Sequence, residues 1–563
     1  MTLDRDQVLQ AARAWAGQDP DDETRTEIEL LLKDAEAGNE IALDELHERF
    51  DTRLEFGTAG LRGRIEAGSA RMNRVLVSQA AAGLAAYLIE RAAPGQTASV
   101  VIGYDGRKNS RVFATDTAEI MAGAGVRAIL LPRLLPTPVL AFAVRHLDAS
   151  AGVMVTASHN PPADNGYKVY LGDGDRGSQI VSPADADIAA HILRVAETGN
   201  VLELPRSTSY ETAPEEVVDA YVAATAGPVR SFDSPLRVVY TAMHGVGWET
   251  FSRVIDAAGY PPVEPVVEQR DPDAAFPTVS FPNPEEPGAL DLAFQAARDA
   301  HADLVIANDP DADRFSVAIP DTSAPAGFRQ LTGNEVGWLL GWHAAQQAER
   351  DGVDGVLACS IVSSPALGEV AKAHGLRFAE TLTGFKWVSR VPGLIFGYEE
   401  ALGYLVNPGV VRDKDGISAA LAFLDLASEA HTAGTDVAGL LGQFASTFGV
   451  YASGQLSIRV TDLSIIGRIM AALRDQPPAE LGGVKVEQID DLSDGFEQLP
   501  PTDALRFHLA DGSRVMARPS GTEPKLKFYL DARSEQSEPE AAAHRIEALR
   551  ADLQRIADEV IAR

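Results

Sequence analysis

Cysteine is nearly absent, one in 563 residues. That excludes an intramolecular disulfide framework and a Cys-rich zinc site. No apolar run reaches the roughly 18 residues that a membrane-spanning helix needs. The start, Met1-Thr2-Leu3-Asp4-Arg5-Asp6, lacks the basic-then-apolar order of a secretory signal. Positive charge is short as well: 49 Lys and Arg stand against 81 Asp and Glu, a net charge of −32. Such a surplus argues against nucleic acid or an anionic membrane as main partner. There is no Gly-x-x-x-x-Gly-Lys-Ser/Thr loop and no dinucleotide fingerprint after a strand. The 11 histidines show no zinc spacing of the His-Glu-x-x-His kind. The expectation is a soluble, cytoplasmic, multidomain protein. If its ligand is an anion, positive charge must be gathered locally against a repulsive background.

What is present is ordinary core material. Hydrophobic residues make up 45% of the chain, and roughly 150 residues per domain gives three to four domains. Residues 1–50 read as polar helices, with Val8, Leu9, Ala12 and Trp15 on one face and Ile28, Leu31 and Leu32 beginning another. Residues 51–74 are rich in Gly and Arg and read as a loop, and a helix is expected from Val77 to Ala92. Short apolar runs then recur, each followed by a polar or Gly-rich loop. They are Ser99–Tyr104, Gly152–Thr156, Leu236–Tyr240, Leu304–Ala307 and Gly355–Cys359, separated by helical patterns. Strands alternating with helices indicate α/β layers. Near residue 450 the pattern changes to strands (Gln455–Val460, Leu505–Leu509, Leu526–Leu530) before a C-terminal helix. That helix opens on a capping box, Ser537-Glu538-Pro539-Glu540, and carries the stripe Ile546, Leu549, Leu553, Ile556 and Val560.

Four loops carry chemistry. Thr156-Ala157-Ser158-His159-Asn160-Pro161 follows a buried strand, where ligands gather in open α/β sheets. A Ser beside a His can be a nucleophile with a base, or simply a polar turn. Downstream, Asp164-Asn165-Gly166-Tyr167-Lys168 adds a turn and a cation. Asn308-Asp309-Pro310-Asp311-Ala312-Asp313-Arg314 sets three carboxylates at alternate positions directly after an apolar run. Buried carboxylates need a counter-charge, and a hard cation such as Mg²⁺ supplies one. Phe396-Gly397-Tyr398-Glu399-Glu400-Ala401 offers carboxylates that can accept from sugar hydroxyls, or starts a helix. Arg518-Pro519-Ser520-Gly521-Thr522-Glu523-Pro524-Lys525 offers a guanidinium, hydroxyls, backbone N–H groups and an ammonium. It is a phosphate cradle or a β-turn. Cys359 reads as a small core residue.

In this order and at these separations the loops resemble the α-D-phosphohexomutase superfamily. That family carries a Ser-His-Asn-Pro loop, an Asp-x-Asp-x-Asp-Arg loop, a Gly-Glu-x-Ser-type loop and an Arg-x-Ser-Gly-Thr loop. The resemblance runs from about residue 50 to the C-terminus. Gly57-Thr58-Ala59-Gly60-Leu61-Arg62-Gly63, Asp164–Lys168 and Thr383-Gly384-Phe385-Lys386-Trp387 are similar to the phosphoglucomutase-2-like branch. That branch includes phosphopentomutases. The resemblance implies an α/β protein of four domains around a central cleft. Three would be related mixed α/β domains, and the fourth a C-terminal α+β domain like the TATA-binding protein. The expected layout is a helical extension at 1–50, a phosphoserine domain at 51–225 and a metal-loop domain at 226–330. A sugar-loop domain would follow at 331–450 and a phosphate-loop domain at 451–563.

By the same resemblance Ser158 would be phosphorylated, and Asp309, Asp311 and Asp313 would bind Mg²⁺ together with it. Arg62 and Arg314 would steady the phosphoserine. Glu399 would contact the sugar, and Arg518, Ser520, Gly521 and Thr522 would hold the non-reacting phosphate, with Lys525 beside them. His159, Lys168 and Lys386 would serve proton transfer or supply charge around the ring. The implied activity is a phosphoglucomutase or phosphomannomutase with a sugar 1,6-bisphosphate as activator and a small phosphosugar as its partner. The sequence departs from the family at Glu399-Glu400-Ala401, where hexomutases often have Glu-x-Ser. Ala401 offers no side-chain hydrogen bond, which keeps a pentose phosphate open as substrate. Two other readings compete. One is a phosphatase of the haloacid-dehalogenase type with Asp309 as nucleophile, although Asp313 does not suit that motif. The other is a sugar-phosphate sensor without catalysis.

Overall fold

The computed structural model describes residues 3–227, 236–460, 462–496, 499–520, 525–534 and 539–562. They fall into two compact units, Met1–Gln330 with Gly403–Ser428, and Leu331–Leu402 with Glu429–Arg563.

The first unit opens with the helices Arg5–Ala16, Asp22–Glu36 and Glu40–Phe50. Val8, Leu9, Ala12, Trp15, Ile28 and Leu32 form their shared core. A sheet follows in the order Leu61–Arg64, Asp164–Leu171, Ala151–Val155, Ser99–Tyr104, Arg127–Leu130, Glu211–Thr212, with Ser178–Gln179 paired to Asp164–Leu171. From Ala151–Val155 outward to Glu211–Thr212 the strands run parallel. The Leu61–Arg64 and Asp164–Leu171 strands run antiparallel. Ser99–Tyr104 and Ala151–Val155 are buried at every residue, as expected of parallel strands covered on both faces. Helix Arg74–Arg91 covers one of those faces. Asn73 caps it by accepting from the Leu76 N–H. One expectation fails here: 51–74 is not all loop, because Leu61–Arg64 is a strand. Its four residues include a Gly and two Arg, so the cross-strand ladder, and not propensity, makes it one.

A second sheet runs Phe328–Gln330, Phe315–Pro320, Leu304–Asn308, Val238–Thr241, Glu264–Pro265. Leu304–Asn308 and Val238–Thr241 are parallel. The apolar runs expected at Leu304–Ala307 and Leu236–Tyr240 are therefore its centre.

In the second unit Val356–Ser360 lies between Arg377–Thr381 and Leu394–Glu399, all parallel. The last sheet is antiparallel throughout, in the order Val450–Arg459, Lys525–Ser534, Arg514–Pro519, Leu505–Leu509, Val484–Asp491, Glu480–Leu481. Helices Ser464–Asp475 and Pro539–Ile561 pack on it through Ile469, Met470, Leu473, Leu549 and Leu553. The C-terminal stripe thus faces a sheet. Of the capping box at its start, Ser537 and Glu538 lie outside the described residues. No described helix is long and apolar enough to cross a membrane.

Candidate active site and metal centre

The Ser158 loop leaves the sheet at the C-terminal end of Ala151–Val155. Ser158 has φ of 52°, a left-handed conformation that costs a non-Gly residue about 1 kcal/mol or more. Two contacts hold it there. Thr156 Oγ1 accepts from the Ser158 N–H at 2.9 Å. Arg107 donates to the carbonyls of Ser158 and Asn160, both at 2.6 Å, of Pro161 at 2.9 Å and of Asp164 at 3.3 Å. One guanidinium therefore fixes the shape of the whole loop. Arg107 is buried, and its counter-charge is Asp105 at 3.5 Å, buried too.

The Ser158 hydroxyl donates to Asp309 Oδ2 at 2.8 Å and lies 3.2 Å from His159 Nδ1. Burial, together with Arg314 and Arg62, holds the His159 imidazole well below its usual range. It is neutral at pH 7.

Asp309, Asp311 and Asp313 are fully buried. One oxygen of each lies within 4.8 Å of the others. The loop turns at Ala312, φ 54°, and Asp309 Oδ1 accepts from the Arg314 N–H at 3.0 Å. Gly245 backs it, because a Cβ there would stand 2.3 Å from Pro310 Cα. Lys168 Nζ reaches Asp311 Oδ2 at 2.6 Å and Asp313 Oδ2 at 2.8 Å. Lys414 Nζ lies 3.3 Å from Asp313 Oδ2, and the Thr137 hydroxyl donates to Asp311 Oδ2. Asp311 Oδ1 and Asp313 Oδ1 are buried with no hydrogen-bond partner among the described residues, and Arg314 Nε stands 4.0 Å from Asp313 Oδ1.

The protonation pattern follows from this packing. Burial and the two neighbouring carboxylates push Asp309 well above the carboxylate range. Burial also acts on Asp313, but Lys168, Lys414 and Arg314 outweigh it and hold Asp313 low. Lys168 is buried, yet Asp311 and Asp313 raise its pKa and keep it charged. Buried carboxylate oxygens without a hydrogen bond, beside an overloaded carboxyl, are costly. A hard divalent cation, which takes oxygen ligands, would relieve both. The donor set fits one.

Register explains how Arg62 and Lys168 arrive. Arg62 is opposite Gly166, and partners in a ladder share a face with residues two along. Arg62 and Lys168 thus lie on one face. Arg62 Nη1 donates to Asn160 Oδ1 at 3.0 Å.

Three contributors escaped the sequence reading: Arg107, Thr137 and Lys414. Arg107 follows a buried strand in Asp105-Gly106-Arg107, which was the available signal. Lys414 sits in Arg412-Asp413-Lys414-Asp415-Gly416, a polar segment that the fold ties down. Asp413 Oδ2 accepts from Tyr170 Oη at 2.9 Å and Gln179 Nε2 at 2.8 Å, anchoring the segment.

The other expected residues lie in the second unit. Glu399 ends the strand Leu394–Glu399, and its Oε1 accepts from the Gly384 N–H at 2.5 Å. Lys386 follows, in the short helix Phe385–Val388. Arg518 lies near the end of Arg514–Pro519. It sits against Tyr529, whose phenol is raised by burial and by Glu400 and Glu399 and lowered by Arg518. The Ser520 N–H donates to the Lys525 carbonyl at 2.8 Å. Gly521 and Thr522 lie outside the described residues.

Comparisons with known proteins identify the family. The profiles described as phosphoglucomutase/phosphomannomutase alpha/beta/alpha domains I, II and III match residues 53–198, 219–322 and 332–445. The C-terminal domain of the same family matches 459–549. A Haemophilus influenzae protein described as "Probable phosphomannomutase" is 58% identical over 82% of this chain and 93% of its own. The phosphoribomutase of Saccharomyces cerevisiae is 35% identical over 92% of this chain and 91% of its own. Among solved structures, a Thermus thermophilus protein titled "putative phosphomannomutase" superimposes with a TM-score of 0.69 at 25% identity, covering 89% of this chain and 99% of its own. The chain is an enzyme of the mutase class, with the four-domain α/β architecture expected of it, and it belongs to the phosphoglucomutase/phosphomannomutase family.

Proposed function

We propose that this enzyme moves phosphate between C1 and C6 of an aldohexose, glucose or mannose, through a phosphorylated Ser158 and a bisphosphorylated sugar. The observation that carries this reading is the Ser158 hydroxyl, 2.8 Å from Asp309 in a buried carboxylate triplet whose other members each keep an oxygen without a hydrogen bond among the described residues. Asp309, Asp311 and Asp313 would hold Mg²⁺, which would polarise the oxygens of the transferring phosphoryl group. Phosphoryl transfer is mostly positioning and charge stabilisation. Arg107 presents Ser158 by fixing its loop. Arg62 and Arg314 supply positive charge beside it. Lys168 remains an ammonium and acts as a cation, while the neutral His159 imidazole can accept a proton. Glu399 takes the sugar hydroxyls, and Arg518, Ser520, Gly521, Thr522 and Lys525 take the distal phosphate. Lys386, in the loop tied to Glu399, adds charge there. The bisphosphate activator would recharge Ser158 whenever it loses its phosphate.

A second reading is a phosphopentomutase. Ala401 favours it, because the hydroxyl that a hexomutase often has there is missing. The name of the yeast relative favours it too. The deciding measurement is kcat/KM for glucose 1-phosphate, mannose 1-phosphate and ribose 1-phosphate, with Ser158→Ala as control. Hexose preference with activity lost in Ser158→Ala is expected. Ribose preference would replace the hexose reading. Label from bisphosphate that is removed by hydroxylamine and retained in Ser158→Ala would instead mark an aspartyl phosphate and sink the phosphoserine.

A further inference from the structure

The strand Arg514–Pro519 ends in the proposed phosphate loop, and its residues 514, 516 and 518 share one face. Of these, Arg514 reaches the sheet that carries Glu399, through Glu380 in the strand Arg377–Thr381. Arg518 bears on Tyr529, in the adjacent strand Lys525–Ser534 of its own sheet. Met516 packs in an apolar cluster with Ile361, Val362 and Tyr529. Arg514 is buried, and its guanidinium is divided among three acceptors. They are Glu380 Oε1 at 3.1 Å, Asp531 Oδ2 at 2.9 Å and the Ser363 carbonyl. Arg506 pins Glu380 from its other oxygen at 2.8 Å.

Ser363 is fully buried and clips the sugar loop in both directions. Its Oγ accepts from the Glu400 N–H at 3.0 Å and donates to Glu400 Oε2 at 3.0 Å. Ser360 Oγ stands 2.9 Å from Ser363 Oγ and 3.2 Å from Glu400 Oε2. On the far side, a Cβ at Gly333 would stand 1.7 Å from the Glu400 carbonyl. Only glycine lets that backbone approach.

We propose that Arg514 is a positioning residue: through Ser363 it fixes Glu400, and with it Glu399, to the strand that presents the phosphate loop. The sugar contact and the phosphate contact are thereby held at one spacing. This rests on the reading above of Glu399 and Arg518. Arginine suits this place because its planar fork spreads fixed donors over separated nitrogens to three separated acceptors, whereas a lysine ammonium presents its three donors from one atom. The function is selectivity. A ring with one carbon fewer changes the distance between hydroxyls and distal phosphate, and a rigid spacing discriminates between the two.

The test is the ratio of kcat/KM for glucose 1-phosphate to that for ribose 1-phosphate, in wild type, Arg514→Lys, Ser363→Ala, their double variant and Glu399→Gln. Thermal melting establishes that each is folded. If Arg514→Lys does not fold, Ser363→Ala, which removes one hydroxyl, carries the test alone. Loosening a site by a fraction of an ångström costs about tenfold or more. The ratio is expected to move toward unity by about that factor in each single variant, and the double variant to equal the larger single effect. A ratio unmoved in folded Arg514→Lys or Ser363→Ala, or effects that multiply in the double variant, would overturn the positioning role while leaving the sugar-loop reading intact. A ratio unmoved in Glu399→Gln would remove the sugar-loop reading, and this proposal with it.

Discussion

At the scale of single residues, the two groups that shape the phosphoserine loop and the metal centre can be separated by experiment. Arg107 is bound to four loop carbonyls and to Asp105. Arg107→Met leaves Asp105 buried without its counter-charge, which costs about 3–5 kcal/mol. Urea unfolding is expected to show that loss. Adding Asp105→Asn restores stability, because the uncompensated charge disappears, but does not restore kcat, because the loop is still untied. Recovery of kcat in the double variant would mean that Arg107 acts only through stability. For the carboxylate triplet, Mg²⁺ binding to the folded state raises Tm by mass action. Wild type is expected to melt several degrees higher in millimolar Mg²⁺, and Asp311→Asn to lose most of that shift. Equal shifts in both would place the cation elsewhere. The triplet was legible from its spacing after an apolar run. Arg107 was not, since a lone Arg in a turn looks like any solvated cation until its four acceptors fold around it.

At the scale of elements, the helix Gly416–Thr432 shows how a cap can carry a pH dependence. Asp415 Oδ1 accepts from the N–H groups of Ile417 and Ser418, and Tyr221 Oη donates to the same carboxylate. Burial nevertheless pushes its pKa up to about 6. The folded state therefore binds this proton more tightly than the unfolded state, whose carboxyl titrates near the ordinary value. The stability tied to that proton is complete below about pH 4 and is lost as pH rises toward 6, at about 1.4 kcal/mol per pH unit crossed. Asn caps a helix nearly as well as Asp and does not titrate. Asp415→Asn is expected to gain on wild type in Tm between pH 4 and 6 and to keep a constant offset above it. A constant offset across the whole range would refute the raised pKa. Elements of this kind were partly readable. Ser99–Tyr104 and Leu505–Leu509 fall where apolar runs placed them. The strand Leu61–Arg64 was missed because its ladder partner lies a hundred residues away and its own composition says loop. Ser158 and Ala312, both with φ above 50°, give no local sign of their strained backbones, which the surrounding hydrogen bonds impose.

At the scale of the whole molecule, the charge of −32 and an anionic substrate pull in opposite directions. Around Ser158 the acidic surplus is cancelled locally. Arg62, Arg107, Lys168, Arg314 and Lys414 stand against Asp105, Asp309, Asp311, Asp313 and Asp413. A bound divalent cation would tip that balance to positive. Which charge the incoming phosphate feels depends on how far fields reach. At about 10 mM salt the screening length is about 30 Å, so most of the acidic surface acts on the ligand. At about 0.1 M it is about 10 Å, and only the nearby cations do. At fixed Mg²⁺, kcat/KM is therefore expected to rise as a monovalent salt increases from about 10 to about 100 mM. It should fall at higher salt, when the local cations are screened in turn. The rise should reside in KM, since bound substrate and transition state feel the outer field alike. Steady-state kinetics across the series checks this. A monotonic decline from the lowest salt would mean that the basic cluster already dominates at long range and that the net charge plays no part in substrate capture.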